Sequence, residues 1–254
     1  MIKKIDNYDI NYIDEGSGDV VLLLHGWGSS LESFNSLIYL LKKKYRVLAF
    51  DYPGFGKSSS LLKSFSVDDY VDITIRFIES FDIKKLTLIG HSYGGRIIIK
   101  LNSKNNLPFE IVKNVLIDAA GIKDKKDFKT KIKINVFKTL KNIVYKLPIA
   151  DSKKRNMEYY LKSKFGSGDY TKASKVMQET LVKSVNEDLT EYLKNMKETL
   201  IIWGDNDKVT PIWMAKIMES EIKNSGLVVL KGGHFSYIDD MVTFNRVIES
   251  YFNL

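Results

Sequence analysis

A chain of 254 residues, 44% hydrophobic and 28% charged, can bury one large core, or one core with an insertion, in the manner of a globular protein. It contains no cysteine, which excludes disulfides, thiolate metal sites and a cysteine nucleophile. The formal net charge is +8, and the excess is local: residues 122–198 carry 19 Lys and Arg against 10 Asp and Glu, while the remainder is close to neutral.

The first residues, MIKKIDNYDINYIDEG, are polar and do not form a secretory signal, and no stretch reaches the roughly 20 apolar residues of a membrane span. A cytoplasmic location is expected. Tyr8–Ile13 alternates and predicts an edge strand paired with Ile2–Ile5. Val20–Leu24 is a continuous apolar run, the pattern of a strand buried on both faces, and it leads into His25-Gly26-Trp27-Gly28. Leu31–Lys44 places Phe34, Leu37, Ile38 and Leu41 on one helical face. Arg46–Phe50 is the next buried-strand run, followed by DYPGFGKS. That segment looks like a phosphate loop, but the Walker pattern needs glycine where Asp51 stands, and the third glycine of a dinucleotide fingerprint is missing. It is read as a structural turn with Lys57 solvated. Val67–Phe81 predicts a helix, with Asp68 and Asp69 suiting its N-terminus.

Leu86–Ile89 is another apolar run, and Gly90-His91-Ser92-Tyr93-Gly94 joins it to a helical pattern over Tyr93–Ser103. Gly-x-Ser-x-Gly between strand and helix is the pattern of a nucleophile elbow. The turn is so tight that residues two before and two after the serine must be small. The helix N-terminus then points its amides at the serine oxygen. The alternative is a turn in which Ser92 only caps the helix. Val115–Ile117 is a further strand, followed by Asp118. Between Gly121 and Thr199 the strands stop. Phe128, Ile132, Val136, Leu140, Ile143, Val144 and Leu147 form a helical stripe opposed by lysines and stopped by Pro148, and Ser152–Lys164 and Thr171–Val185 are further helices. An all-helical insertion of roughly 75 residues is expected, with its lysines on solvated faces.

Leu200–Trp203 resumes the strands and leads to Asp207 in WGDNDKVTP. A helix over Met214–Ile222, a strand over Leu227–Leu230, His234 in the loop after it and a helix over Val242–Phe252 complete the chain. Strands alternating with helices imply a mostly parallel sheet covered on both faces. A serine hydroxyl is a weak nucleophile and needs a base oriented by a third group. Of the three histidines, His25, His91 and His234, the last is the candidate base, with Asp207 as its orienting acid and Asp205 and Asp118 as rival acids. The order Ser92, Asp207, His234 is that of a known triad arrangement. The main-chain N–H groups of Trp27 and Tyr93 are the candidate oxyanion donors. His25 is expected to brace its loop and His91 to pack beneath the elbow. No His, Asp or Glu cluster has metal-ligand spacing, so neither metal nor cofactor is expected.

With HGWG, DYPGFGKS, GHSYGG, WGDNDKVTP and GGHF in order, the sequence resembles the α/β-hydrolase superfamily over essentially its whole length. The resemblance implies a core of residues 1–121 and 199–254 with residues 122–198 as a helical cap. Serine at position 92, where haloalkane dehalogenases and epoxide hydrolases carry aspartate, leaves carboxylesterases, carbon–carbon bond hydrolases, haloperoxidase-like enzymes and aminopeptidases. Arg96 also resembles a residue of the menaquinone-pathway enzyme that eliminates pyruvate, although a buried or surface structural role is the simpler reading. The expected activity is acyl transfer to water from a small or medium ester. Trp27 and Tyr93 would wall the pocket, and Phe128, Phe137, Tyr145, Tyr159, Tyr160, Phe165 and Tyr170 could line its roof. A carbon–carbon bond hydrolase or a related lyase would use the same triad, and a ligand-binding receptor could retain it. The expected partner is a small molecule, not nucleic acid. The basic amphipathic helix suits a cap as well as a membrane surface, so no membrane association is expected.

Overall fold

In a computed structural model of the chain, which describes residues 1–123, 128–165 and 173–254, the apolar runs pair into an eight-stranded sheet. Its strands are β1 (Ile2–Ile5), β2 (Tyr8–Glu15), β3 (Val20–Leu24), β4 (Arg46–Phe50), β5 (Lys85–His91), β6 (Glu110–Ile117), β7 (Thr199–Gly204) and β8 (Ser225–Leu230), in the order β1-β2-β4-β3-β5-β6-β7-β8. β1, β2 and β4 are antiparallel neighbours, and every pairing from β4 through β8 is parallel. The fold is that of the α/β hydrolases, as the motifs implied.

The helices cover both faces. α1 (Asn35–Leu41) and α9 (Met241–Phe252) pack on the face that carries Val21, Leu23, Val47, Ala49, Ile89 and Ile202. α2 (Val67–Glu79), α3 (Tyr93–Asn102) and α7 (Ile212–Glu221) pack on the face with Leu22, Leu24, Leu48, Leu88 and Ile201. Alternate residues of β3 thus enter opposite cores, which is why the run is apolar throughout. α2 starts where its sequence dictates: Ser66 accepts from the Asp69 N–H and Asp69 accepts from the Ser66 N–H, a reciprocal cap.

Four expectations need correction. Tyr8–Ile13 lies inside the sheet, because β1 takes the edge and β2 continues to Glu15 to pair with β4. Leu227–Leu230 belongs to the other edge, and Val229 is half exposed, so this run is not buried on both faces. The first helix is a 3₁₀ turn over Leu31–Phe34 running into α1, although its four core residues are buried as expected. In the segment between β6 and β7, α4 (Phe128–Lys146), α5 (Asp151–Phe165) and α6 (Lys175–Asn186) are helical, but the apolar stripe does not face one way: Val144 is buried while Val136 and Ile143 are exposed. Residues 124–127 and 166–172, with Tyr170 among them, lie outside the described residues, as do the side chains of Phe128, Tyr159 and Phe165. No helix among the described residues is long and apolar enough to cross a membrane.

α3 crosses β3 so closely that a Cβ on Gly94 would stand 1.9 Å from the Leu24 carbonyl oxygen, a backbone atom that cannot step aside. Gly94→Ala is expected to destabilise the fold by about 3 kcal/mol, measured as a lowered midpoint in urea.

Candidate active site

Parallel pairing brings the carboxyl ends of β3, β5, β6, β7 and β8 to one edge, with Leu24 opposite Gly90, Gly90 opposite Leu116, and Gly204 opposite Leu230. The loops leaving those ends carry every candidate residue, as expected for an open α/β sheet. Ser92 sits between β5 and α3 with φ 50° and ψ −108°, a combination that side chains rarely adopt. The Ser92 N–H donates to the Ile117 carbonyl at 3.0 Å, and its own carbonyl accepts from Gly95 and Ala120. Ser92 Oγ makes no capping bond to α3, so the reading of Ser92 as a helix cap is not what the geometry supports.

Ser92 Oγ lies 2.9 Å from His234 Nε2, and His234 Nδ1 lies 2.8 Å from Asp207 Oδ2. With Asp207 ionised, Nδ1–H donates to the carboxylate, and Nε2 is left as the acceptor for the serine hydroxyl. Burial raises the Asp207 carboxyl, but the hydrogen bonds from His234 and Thr210 outweigh it and hold the group below the usual carboxylate range. Asp207 Oδ1 accepts from the Val209 and Thr210 N–H groups, at 2.7 and 3.0 Å. The Thr210 hydroxyl stands 2.7 Å from Asp207 Oδ2 and 3.2 Å from His234 Nδ1, so it helps to position both groups. Thr210 escaped the sequence reading, though an Asp with Thr three residues on and then Pro211 carries the signal of a side-chain-capped turn.

The rival acids are elsewhere. Asp205 Oδ1 accepts from Gly232 N–H and braces the loop that carries His234. Asp118 bonds Gly204 and Ser236 and makes no hydrogen bond to a histidine ring. The other two histidines are neutral structural groups. His25 is fully buried: its Nδ1–H donates to the Gly26 carbonyl and its Nε2 accepts from Tyr52 N–H, so it braces the loop as expected. Burial lowers its pKa to about 4. His91 packs beneath the elbow, where burial lowers its pKa to about 3, and it also donates from Nε2 to the carbonyl of His234 at 2.7 Å. A Cβ on Gly26 would come within 2.8 Å of His91 Nδ1 and 3.3 Å of Ser92 Cβ, so the HGWG loop can approach Ser92 only with glycine there.

Among the described residues no hydrogen bond takes up the N–H groups of Trp27 or Tyr93, the latter being the first of α3 and without an intrahelical acceptor. The side chains part company. Trp27 packs edge-on against Phe55 and Tyr93 and lines a groove of 630 Å³ with Gly28, Leu61, Val176 and Met177. Tyr93 is buried behind it, its hydroxyl 3.0 Å from Ser184 Oγ on α6, and burial raises its pKa. Of the expected roof residues with described side chains, Phe137 is half-buried, whereas Tyr145 and Tyr160 are exposed. Arg96 is buried one turn after Ser92 and donates to the Glu187 carbonyl at the C-terminus of α6, a structural role favoured by the helix dipole. Lys57 is exposed but pairs with Glu32, and the turn around it is held by Asp51, which accepts from the N–H groups of Leu31 and Lys57.

The comparisons with known proteins agree with this architecture. The family described as alpha/beta hydrolase fold matches residues 19–241, and the chain belongs to that family. It is 27% identical to a 2-hydroxy-6-oxononadienedioate/2-hydroxy-6-oxononatrienedioate hydrolase of Escherichia coli O81 (strain ED1a), over 95% of this chain and 90% of that one. Among solved structures it resembles an esterase from Exiguobacterium antarcticum, with TM-score 0.74 and 24% identity over 100% of this chain and 98% of the other. It also resembles a meta-cleavage product hydrolase from Pseudomonas fluorescens IP01, with TM-score 0.71 and 26% identity over 97% and 94%.

The buried histidines set a pH dependence. In the folded chain His25 and His91 stay neutral down to about pH 4 and 3, whereas unfolded histidine takes a proton near pH 6.5, so stability is lost as the pH falls below 6.5. Asp118, which burial raises to about 6, opposes this over the range from pH 6 toward 4, since the folded state then binds the extra proton. Two histidines outweigh one carboxylate. The urea midpoint is expected to fall between pH 7 and pH 5, and to fall less in His91→Gln.

Proposed function

We propose that this chain is a serine hydrolase that cleaves a small or medium carboxylic ester through an acyl-enzyme on Ser92. The observation that carries the reading is the continuous hydrogen-bonded path from Ser92 Oγ through both ring nitrogens of His234 to a carboxylate held ionised. His234 Nε2 takes the hydroxyl proton as Oγ attacks the carbonyl carbon. The carbonyl electron pair moves to oxygen, which the N–H groups of Trp27 and Tyr93 receive. The tetrahedral intermediate expels the alcohol, which leaves with the proton from Nε2. Water, deprotonated by the same nitrogen, then attacks the acyl carbon and Ser92 departs as the hydroxyl. Asp207 keeps Nδ1 protonated and stabilises the imidazolium. Residues 122–198 act as the cap, and the groove beside Trp27 takes the apolar part of the substrate.

A second reading is favoured by the curated relative. Its named substrates, 2-hydroxy-6-oxo-dienedioates, contain no ester, so hydrolysis must break a carbon–carbon bond beside the ketone. The triad could serve that reaction too, with a carbon leaving group in place of an alcohol. Turnover of p-nitrophenyl esters of graded chain length, compared with a 2-hydroxy-6-oxo-dienoate, separates the two. A higher kcat/KM on the dienoate would replace the ester reading. Absence of labelling by a fluorophosphonate, with no turnover of either substrate, would favour a receptor.

Ser92→Ala is expected to lower kcat/KM by at least ~10³-fold and Asp207→Asn by about 10⁴-fold, with circular dichroism unchanged. Hydrolysis retained at the wild-type rate by Ser92→Ala would overturn the assignment.

A further inference from the structure

We infer that Asp118 is a positioning residue that registers the loops of the proposed nucleophile, acid and base against one another. The inference rests on the triad reading given above. Asp118 follows β6 at φ 44°, a left-handed conformation that turns its backbone and side chain into the junction of the three loops. Oδ1 accepts from Gly204 N–H at 2.8 Å, at the base of the Asp207 loop. Oδ2 accepts from the Ser236 N–H at 3.0 Å and the Ser236 hydroxyl at 2.7 Å, two residues beyond His234. The Asp118 carbonyl faces the Thr210 hydroxyl at 3.0 Å, the same hydroxyl that contacts Asp207 and His234. Two residues on, Ala120 N–H donates to the Ser92 carbonyl at 2.9 Å. Asp118 and Ala120 together therefore touch all three loops, and the Asp118 carboxylate touches no reacting atom.

The chemistry of the group supports this. Asp118 is fully buried, and its carboxylate is met only by neutral donors among the described residues. A buried charge without a cation is a stability cost, and burial pushes the pKa up to about 6. Asparagine in its place would keep one acceptor oxygen and turn an NH₂ toward the other donors. The carboxylate alone can receive Gly204 on one oxygen and both Ser236 donors on the other. The ionisable groups facing it are Asp207 on the β7 loop and Tyr237 on α8 (Ser236–Asp239).

The test is the rate of inactivation by a fluorophosphonate, which reads the Ser92–His234 pair without a substrate, together with kcat and KM on an ester and thermal melting. At pH 8, Asp118→Asn is expected to lower the inactivation rate and kcat ~10- to 100-fold, as a displaced reacting pair does, with KM within about twofold and the melting temperature at pH 8 not lowered, since a buried charge has been removed. The ratio of wild-type to variant rates should shrink toward one below pH 6, where the wild-type carboxyl is neutral as well. An inactivation rate within twofold of wild type at pH 8 would overturn the inference, as would a loss that tracks a lowered melting temperature. If Asp118→Asn does not fold, Ser236→Ala decides: it keeps the N–H and loses the hydroxyl contact. A threefold or greater fall in kcat at unchanged KM is expected, and a rate within twofold of wild type overturns the inference. Failure of the wild-type protein itself to label would count against the triad, not against Asp118 alone.

Discussion

The parallel register of β3, β5, β6, β7 and β8 is the constraint on which the remainder rests. Each pairing fixes the strand ends to within about a residue, so loops far apart in sequence leave the sheet side by side. Ser92 and His234 are 142 residues apart, yet Oγ and Nε2 are in hydrogen-bonding contact. The sheet can hold that contact because the carboxyl-terminal halves of β3, β5, β6 and β7 are buried on both faces, where a slip would expose or strand every side chain in the run. The strained turn at Ser92 is maintained by the same packing: Gly94 lies against the Leu24 carbonyl, and the Ser92 carbonyl receives Ala120 from the next strand's loop.

Burial also sorts the titratable groups. Three imidazoles lie close to the carboxyl edge of the sheet, and two are set apart by desolvation and by hydrogen bonds between their ring nitrogens and the backbone, His25 Nε2 accepting from Tyr52 N–H. The third has one nitrogen on a carboxylate and the other on a hydroxyl. Two carboxylates stand near it in unlike surroundings. Asp207 gains more from its donors than burial takes away, whereas Asp118 does not, and their pKa values move in opposite directions. Asp207 lies next to the ring, and Asp118 instead meets the donors of Gly204 and Ser236.

The ester and carbon–carbon readings proposed above both call for attack by Ser92 on a carbonyl carbon, so the geometry of Ser92, His234 and Asp207 does not by itself separate them. In either reading the HGWG loop and the helices between β6 and β7 would meet the rest of the substrate. Here Trp27, Phe55 and Leu61 from the core meet Val176 and Met177 from α6 across an open groove. Tyr93 and Arg96 tie α3 to the C-terminal end of α6 through Ser184 and Glu187, so the helix that follows Ser92 is joined to the helix that supplies that wall.

The sequence by itself determined the sheet, the elbow and the candidates for the triad, with Asp118 and Asp205 as rivals of Asp207. Val20–Leu24 and Arg46–Phe50 were legible to the residue, because each run is apolar from its second residue to its last and stops at a polar residue, His25 or Asp51. Glycines at 90 and 94 bracketed Ser92 because the tight turn brings them together, a Cβ on Gly90 standing 2.7 Å from the Gly94 backbone, while the Leu24 carbonyl that also excludes a Cβ at Gly94 is a tertiary contact. Edge strands were less legible: Val229 is apolar yet half exposed, and Tyr8–Ile13 alternates inside the sheet because its other neighbour is the short β1. On α4, the exposure of Val136 and Ile143 could not follow from helical periodicity, which fixes relative angles on a helix and not the direction in which the helix is turned. Which acid meets His234 and what holds the three loops together were tertiary decisions. Asp118, Asp205 and Asp207 all follow strand ends, and only the distance across loops, set by the pairing of β6, β7 and β8, distinguishes the one that reaches the ring from the one that reaches Gly204 and Ser236.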